Sequence, residues 1–109
     1  MTNDPLPSIV EEFAAQQPTV WDAYTQLGRA ISDAGPLDEK TRRLVKLAIA
    51  VGAGREGAVR AHARRGSRAG LSRDELEHVA LLGITTIGWP AAFASLCWVR
   101  QGIDNSEVD

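Results

Sequence analysis

Cysteine, aromatic side chains and long apolar runs are all scarce in this sequence of 109 residues. The one cysteine, Cys97, permits no intramolecular disulfide, no Cys-x-x-Cys redox pair and no cysteine-rich zinc site. Aromatic residues make up only 6% of the chain, so the core has to be built from Leu, Ile, Val and Ala. No apolar run approaches the roughly 20 residues of a membrane-spanning helix, and we therefore expect no membrane partner.

A strong charge of one sign is also missing. The net charge is −2, so no overall positive field exists to attract phosphates, and this argues against a nucleic-acid partner. Six of the twelve basic residues nevertheless lie between Arg55 and Arg73, where they either serve an anionic small molecule or pair with nearby acidic residues. The N-terminus lacks the basic and apolar regions of a secretory signal, so we expect a cytoplasmic protein.

Apolar residues recur at helical spacing along most of the chain, and no segment shows the alternation of a β-strand. This pattern predicts an all-α bundle of about six helices in a single domain spanning 1–109. The ends at 1–4 and 103–109 are expected to be flexible, with a polar tail starting at Gly102.

The fifth predicted helix, over 73–87, has the clearest start signal. Ser72 and Glu75 have the spacing of a capping box, in which each side chain accepts from the other residue's backbone amide. Leu81 and Leu82 lie off the main apolar stripe of this helix. A helix that is apolar on more than one side is expected to be buried on more than one side, and in so short a chain a second subunit is the most economical cover.

The helix between Gly54 and Gly70 carries one histidine on its face of small residues. Helical spacing places several small or apolar residues on the same side as His62, namely Ala58, Val59, Gly66 and Ala69. Three arginines at intervals of four form a stripe on the far side, namely Arg60, Arg64 and Arg68. The titratable group that faces inward is therefore an imidazole, on a helix thin enough for another backbone to approach.

Taken in order, these features resemble the carboxymuconolactone decarboxylase-like family, the superfamily that also holds the AhpD-type alkylhydroperoxidases. The resemblance covers 37–99. It rests on the acidic-basic opening at 38–43, the apolar LAIAV run, His62, the Gly70 turn with its capping box, and the Gly-x-Pro-Ala-Ala of 88–92. It implies an AhpD-like all-α fold that assembles as homotrimers or homohexamers, with sites between subunits.

The peroxidase branch of that superfamily uses a Cys-x-x-Cys-x-x-x-His motif and a glutamate one helix earlier. Counted back from His62, the two cysteine positions hold Arg55 and Ala58, and the glutamate position falls near Arg43. Without a thiolate there is no nucleophile to reduce a peroxide. Cys97 lies in a different helix and does not replace the missing pair, so alkylhydroperoxidase activity is not expected.

The decarboxylase branch lacks those cysteines and fits the chain better. Its Gly-Arg turn and its His and Arg two residues apart match Gly54-Arg55, His62 and Arg64. The resemblance implies a lyase that acts on a small carboxylated lactone or aromatic-derived compound, in the breakdown of aromatic compounds. The chain departs from that branch at Ala58, His78 and Thr86-Ile87, where the branch often has two glutamates and a tyrosine. These departures indicate a changed pocket, and hence a changed substrate or none.

The residues present suit this chemistry. Loss of carbon dioxide beside an unsaturated lactone needs a cation to hold the carboxylate and an acid to protonate carbon. An imidazole suits the proton transfer and an arginine fork suits the carboxylate, so His62 is the candidate catalytic residue. The candidate substrate-binding residues are Arg43, Arg55, Arg64, His78 and Trp89. We expect no metal and no cofactor.

The direction of the arginine side chains restricts which of them can contact the His62 imidazole. Arg60 and Arg64 point away from His62 on their own helix. An arginine that meets His62 is therefore expected to be Arg43 or Arg55, or to come from a neighbouring subunit.

Each candidate also has a purely structural interpretation. His62 can be a buried histidine held by a hydrogen bond for packing, His78 a surface or interface residue, and Trp89 a core or interface anchor. The whole protein can equally be a non-catalytic oligomer that binds a ligand or a partner. A pocket between subunits that holds His62 and an arginine favours the enzyme, whereas a His62 packed without a cavity favours the binding protein.

Overall fold

The computed structural model describes residues 8–106, and helix is the regular secondary structure of this part of the chain, with no strand. It contains six helices of nine or more residues and one four-residue helical turn. The all-α prediction is confirmed. The elements are α1 (Ser8–Gln16), α2 (Pro18–Asp33), α3 (Glu39–Ala53), α4 (Glu56–Arg68), α5 (Arg73–Leu82), α6 (Ile84–Ile87) and α7 (Trp89–Ser106). The flexible end predicted at 1–4 lies outside the described residues, as do residues 107–109 of the end predicted at 103–109.

Helices α1 and α2 belong to one compact unit, which ends at Asp38. They are joined through Gln17, whose amide donates to the Phe13 carbonyl at 2.8 Å and whose carbonyl accepts from the Trp21 amide at 3.0 Å. Pro18 occupies the first position of α2, where its missing N–H costs no hydrogen bond. Neither helix has a buried residue. The two helices predicted for this part of the chain are therefore confirmed.

Helices α3 to α7 form the second compact unit, which starts at Glu39 and holds the hydrophobic core. The four leucine and valine side chains that are less than 2% exposed come one each from α3, α4, α5 and α7: Leu47, Val59, Leu76 and Val99. Ion pairs bind α5 to α7 at the surface, where Arg73 meets Asp104 at 2.8 Å. Four helices thus share one core made largely of Leu, Val and Ala, as the scarcity of aromatic residues predicts.

Helix α4 and helix α7 approach each other closely at Gly102. A Cβ atom at this position would lie 2.5 Å from the Arg60 carbonyl oxygen and 2.9 Å from the Ala63 Cβ. Both are below the separations that real Cβ atoms tolerate, so the crossing requires a glycine on α7 and a small residue on α4. The expectation that α4 is thin enough for another backbone to approach is confirmed.

The polar tail predicted from Gly102 does not start there. Helix α7 continues to Ser106, and Ile103 is only 3% exposed. Val99, Gly102 and Ile103 follow the three-and-four spacing of a buried helical face, which the polar residues among them obscure. The Ser106 hydroxyl donates to the Ser67 hydroxyl at 3.0 Å, so α7 remains packed on α4 to its last described turn.

The fifth predicted helix starts where expected and ends early. The capping box is confirmed, since the Ser72 hydroxyl accepts from the Glu75 amide at 3.1 Å and the Glu75 carboxylate accepts from the Ser72 amide at 3.0 Å. The helix predicted over 73–87 instead stops at Leu82, because Gly83 donates to the Ala80 carbonyl in a tighter turn. Leu81 is 48% exposed and Leu82 60% exposed, so the single chain gives this helix no second cover.

Candidate functional site

A left-handed glycine turn positions the helix that carries His62. Gly54 has a φ of +66°, which favours glycine. Its amide donates to the Val51 carbonyl at 3.1 Å, and the next amide, that of Arg55, donates to the Ala50 carbonyl at 3.0 Å. This pair of bonds is a Schellman motif, which ends α3 and reverses the chain. Helix α4 therefore returns against α3, and His62 comes within reach of α3 side chains.

His62 lies at the edge of the buried face of α4. Val59, Ala63 and Gly66 form the buried centre of that face, while the imidazole is half-buried beside it. Burial lowers the pKa of His62 from its ordinary value, because desolvation disfavours the charged form. The neutral form of the imidazole is therefore favoured in the free protein.

Three cations act on this imidazole through their charge. Arg65 on α4 and Lys46 and Arg43 on α3 each lower the pKa of His62 further by like-charge repulsion, in that order of size. Arg43 donates through Nε to the Glu39 carboxylate at 3.1 Å. The guanidinium carries further N–H donors beyond this bond. A neutral imidazole among three cations can bind an anion, since an anion would offset the mutual repulsion of the cations.

The other arginines of α4 and its first turn have different places. Arg55 contributes backbone bonds to the turn, and Arg64 is half-buried with its Nε atom lacking a hydrogen-bond partner within the described residues. Arg60 is held by the Gln101 side chain at 2.8 Å and by Glu56 at 2.6 Å. Of the arginines predicted as substrate ligands, Arg43 is among the cations that lower the pKa of His62, and Arg55 and Arg64 are not among them.

His78 lies at a separate place, in a groove between α3 and α5 with a volume of about 450 Å³. Its lining is Thr41, Leu44, Val45, Ala48, Glu75, His78, Val79 and Leu82. A smaller cavity of about 160 Å³ shares Ala48, Val79 and Leu82 with it and continues toward α6. His62 lines neither of these two cavities.

Trp89 starts α7 and packs on Phe93 with their ring centroids 5.3 Å apart. The indole is 59% exposed and lines neither cavity. Its predicted contact with substrate therefore has no geometric support in the single chain and stays a prediction.

Two of the cations around His62 were not among the predicted site residues. Lys46 lies three residues after Arg43 on α3, and Arg65 lies three residues after His62 on α4. Residues three apart share a helix face, so the sequence carried a signal for both. The His-x-Arg spacing of the decarboxylase branch instead favoured Arg64, which lies on the opposite side of the helix.

The described part of the chain offers no group of three or more His, Cys, Asp and Glu side chains that could hold a metal ion. Within the same residues, no helix has both the length and the apolar character needed to cross a membrane.

The sequence pattern of the carboxymuconolactone decarboxylase family matches residues 18–101, more than three quarters of the chain. The chain belongs to the carboxymuconolactone decarboxylase family. The predicted family is thus confirmed, and the match covers α2 to α6 and most of α7. It includes His62 and the three cations that act on it, Arg43, Lys46 and Arg65, which together are called the His62 group below.

The fold is similar to the crystal structure of an apo carboxymuconolactone decarboxylase family protein from Legionella pneumophila. The TM-score is 0.75, and the alignment covers 91% of this chain and 88% of that one. At 19% sequence identity the likeness shows the fold alone. An uncharacterised protein from Haemophilus influenzae is 42% identical over 52 residues, which are 48% of this chain and 46% of that protein. The alignment thus spans about half the length of this curated relative.

Proposed function

We propose that this family member is a cytoplasmic lyase that decarboxylates a small carboxylated lactone or aromatic-derived compound, with His62 as the proton donor. The observation that supports the proposal is the half-buried His62 imidazole beside three cations. Arg43, with its planar fork of donors, is the carboxylate ligand in this account. Lys46 and Arg65 supply positive charge where negative charge develops during the reaction.

The same charges explain how a neutral imidazole becomes a proton donor. A bound carboxylate offsets the positive charges that hold the pKa of His62 down, so the imidazole takes up a proton as substrate binds. The bond between carbon and the carboxylate then breaks, and its electron pair moves into the unsaturated lactone as an enolate while carbon dioxide leaves. His62 gives its proton to carbon. One proton is consumed for each carbon dioxide released, which balances the reaction.

Self-association as a homotrimer or homohexamer is part of the proposal. A second subunit would cover exposed apolar side chains such as Leu81 and Leu82 and could add further groups to the substrate site.

The experiment is a carbon dioxide release assay with carboxymuconolactone and related unsaturated lactone acids. Because His62 supplies the proton, His62→Ala should lower the rate by about 10²–10⁴-fold, the usual loss for a general acid. His78→Ala is the matched control, since His78 lies in the separate groove, and it should retain most of the rate. Equal rates for wild type and His62→Ala on an accepted substrate would contradict the assignment.

A second candidate function is ligand binding without catalysis. The observation that favours it is the largely apolar groove between α3 and α5, whose volume of about 450 Å³ lies in the range of small-molecule sites. This function predicts a ligand whose binding depends on His78 or Leu82 and is unaffected by His62→Ala, with no carbon dioxide released. Calorimetric titration of the two histidine variants separates the two functions.

A further inference from the structure

The groove between α3 and α5 is polar at one end and apolar at the other. Lys40 and Glu75 form an ion pair between the first turns of the two helices, while Gly52 and Gly83, near their far ends, line the same smaller cavity. The two helices therefore run side by side in the same direction. Every lining residue belongs to the second compact unit, so this unit builds the groove by itself.

The apolar part of the groove is long. The lining positions of α3 extend from Thr41 to Gly52, which is about 16 Å at the helical rise of ~1.5 Å per residue. At the far end Thr86 is polar, but its hydroxyl already donates to the Leu82 carbonyl at 3.3 Å. The other residues that line the far end are aliphatic or glycine: Ala48, Val51, Gly52, Val79, Leu82, Gly83 and Ile87. This lining fits an elongated hydrocarbon body.

The charges at the polar end are already balanced. Glu75 is the one carboxylate of the lining. It accepts from the Ser72 amide at 3.0 Å and pairs with Lys40. The hydrogen bond from Lys40 is the main reason that the pKa of Glu75 is lowered, so the carboxylate stays ionised and the pair stays formed at neutral pH. An ionised ligand would lose hydration without gaining a free opposite charge, so the groove favours an uncharged one.

His78 supplies a free hydrogen-bonding group to the groove. Within the described residues, its imidazole takes part in no hydrogen bond or ion pair. A neutral imidazole donates through one ring nitrogen and accepts through the other, and a hydroxyl likewise donates and accepts. Because Glu75 lies three residues earlier on the same face of α5, the imidazole lies toward the polar end.

From these observations we infer that the groove binds an uncharged, elongated apolar molecule with one hydroxyl-like group, such as a medium-chain alcohol. The hydrocarbon body lies along α3 toward Gly52, and the hydroxyl pairs with His78. The inference rests on the second candidate function, for which it names the class of ligand. It holds whether or not His62 acts in decarboxylation.

Calorimetric titration with three molecules of the same chain length tests the class of ligand. n-Octanol, octanoate and octylammonium share one alkyl chain and differ in charge at neutral pH. n-Octanol should bind about tenfold more tightly than either ion, because only the ions bring a charge that the groove does not compensate. Tighter binding of either ion would overturn the proposal, as would a protein that binds none of the three.

The place of binding is tested at the middle of the groove. Ala48 lines both cavities and is exposed, so Ala48→Leu fills the groove and leaves the core intact. This variant should lose n-octanol binding and keep the helical circular dichroism of wild type. Ala53→Leu, at an exposed position of α3 outside both cavities, is the matched control and should bind as wild type does. Unchanged binding by Ala48→Leu would show that the ligand lies elsewhere, against the proposal.

The role of His78 is tested by removing and restoring its hydrogen bond. His78→Leu should weaken n-octanol binding by about five- to tenfold, the usual effect of one lost hydrogen bond. His78→Gln should retain most of the affinity, since the amide also donates and accepts. Equal affinity of His78→Leu and wild type would contradict the assigned hydroxyl contact. His62→Ala should bind n-octanol normally, so a loss of carbon dioxide release in that variant bears on decarboxylation alone.

Discussion

At the scale of single residues, the surroundings of His62 determine the direction in which its pKa is shifted. Desolvation acts on its pKa first, and the cations Arg65, Lys46 and Arg43 act in the same direction. The turn at Gly54 returns α4 against α3, the helix that carries Lys46 and Arg43. His62 is thus a neutral group in a positive environment, a state suited to bind an anion and a proton together.

The contribution of the cations is testable one charge at a time. Arg65→Gln removes the charge that has the largest effect on the pKa of His62 among the three cations. The pKa of the imidazole should therefore rise toward its ordinary value. The His62 ring resonances in a pH titration followed by NMR report this pKa directly.

Arg64→Gln is the matched control, because it removes the same charge from the next position on the other side of α4. The NMR titration of His62 in the Arg64→Gln variant should follow the His62 titration of the wild-type protein. A larger rise for Arg64→Gln than for Arg65→Gln would mean that the charges around His62 are assigned to the wrong side of the helix.

At the scale of the elements, glycines and small residues set the geometry. Gly54 reverses the chain between α3 and α4, and Gly102 lets α7 cross α4 at close range. These two contacts fix α4 against both neighbours, so they fix the place of His62 as well.

A methyl group at the α4–α7 crossing should therefore be costly. Gly102→Ala adds a Cβ 2.5 Å from the Arg60 carbonyl oxygen, and the backbones must separate to admit it. We expect the free energy of unfolding to fall by about 1–3 kcal/mol, as for other overpacked sites. Urea denaturation followed by circular dichroism measures the change.

The comparison variant is Gly57→Ala, at the start of α4, where an added Cβ meets no atom within 4 Å. There the gain in helix propensity should raise the free energy of unfolding by about 0.5–1 kcal/mol. A stabilising Gly102→Ala would show that the two helices are not in contact as described.

Much of this element structure could be predicted from local sequence signals, and the failures have physical causes. The capping box at Ser72 is a short-range device, so spacing alone identifies it. The break at Gly83 and the continuation of α7 past Gly102 depend on packing. A glycine ends a helix in one case and permits a close crossing in the other, and only the tertiary contact distinguishes the two.

At the scale of the whole molecule, the family and the site were predictable to different depths. The order of motifs along 37–99 was sufficient for the family. For the partner of His62, the predicted direction of the arginines left Arg43, Arg55 and an arginine of a neighbouring subunit open. Lys46 and Arg65 were missed because a family motif drew attention to Arg64. Which cations meet the imidazole depends on how α3 and α4 pack, and helix spacing within one segment does not contain that information.

The central claim is that the His62 group binds a carboxylate and a proton together. The most direct measurement is the pKa of His62 by NMR with and without fumarate, at matched ionic strength in sodium chloride to separate binding from screening. The account predicts a His62 pKa below the ordinary histidine value in the free protein and a rise when fumarate saturates. A His62 pKa that fumarate leaves unchanged would contradict it.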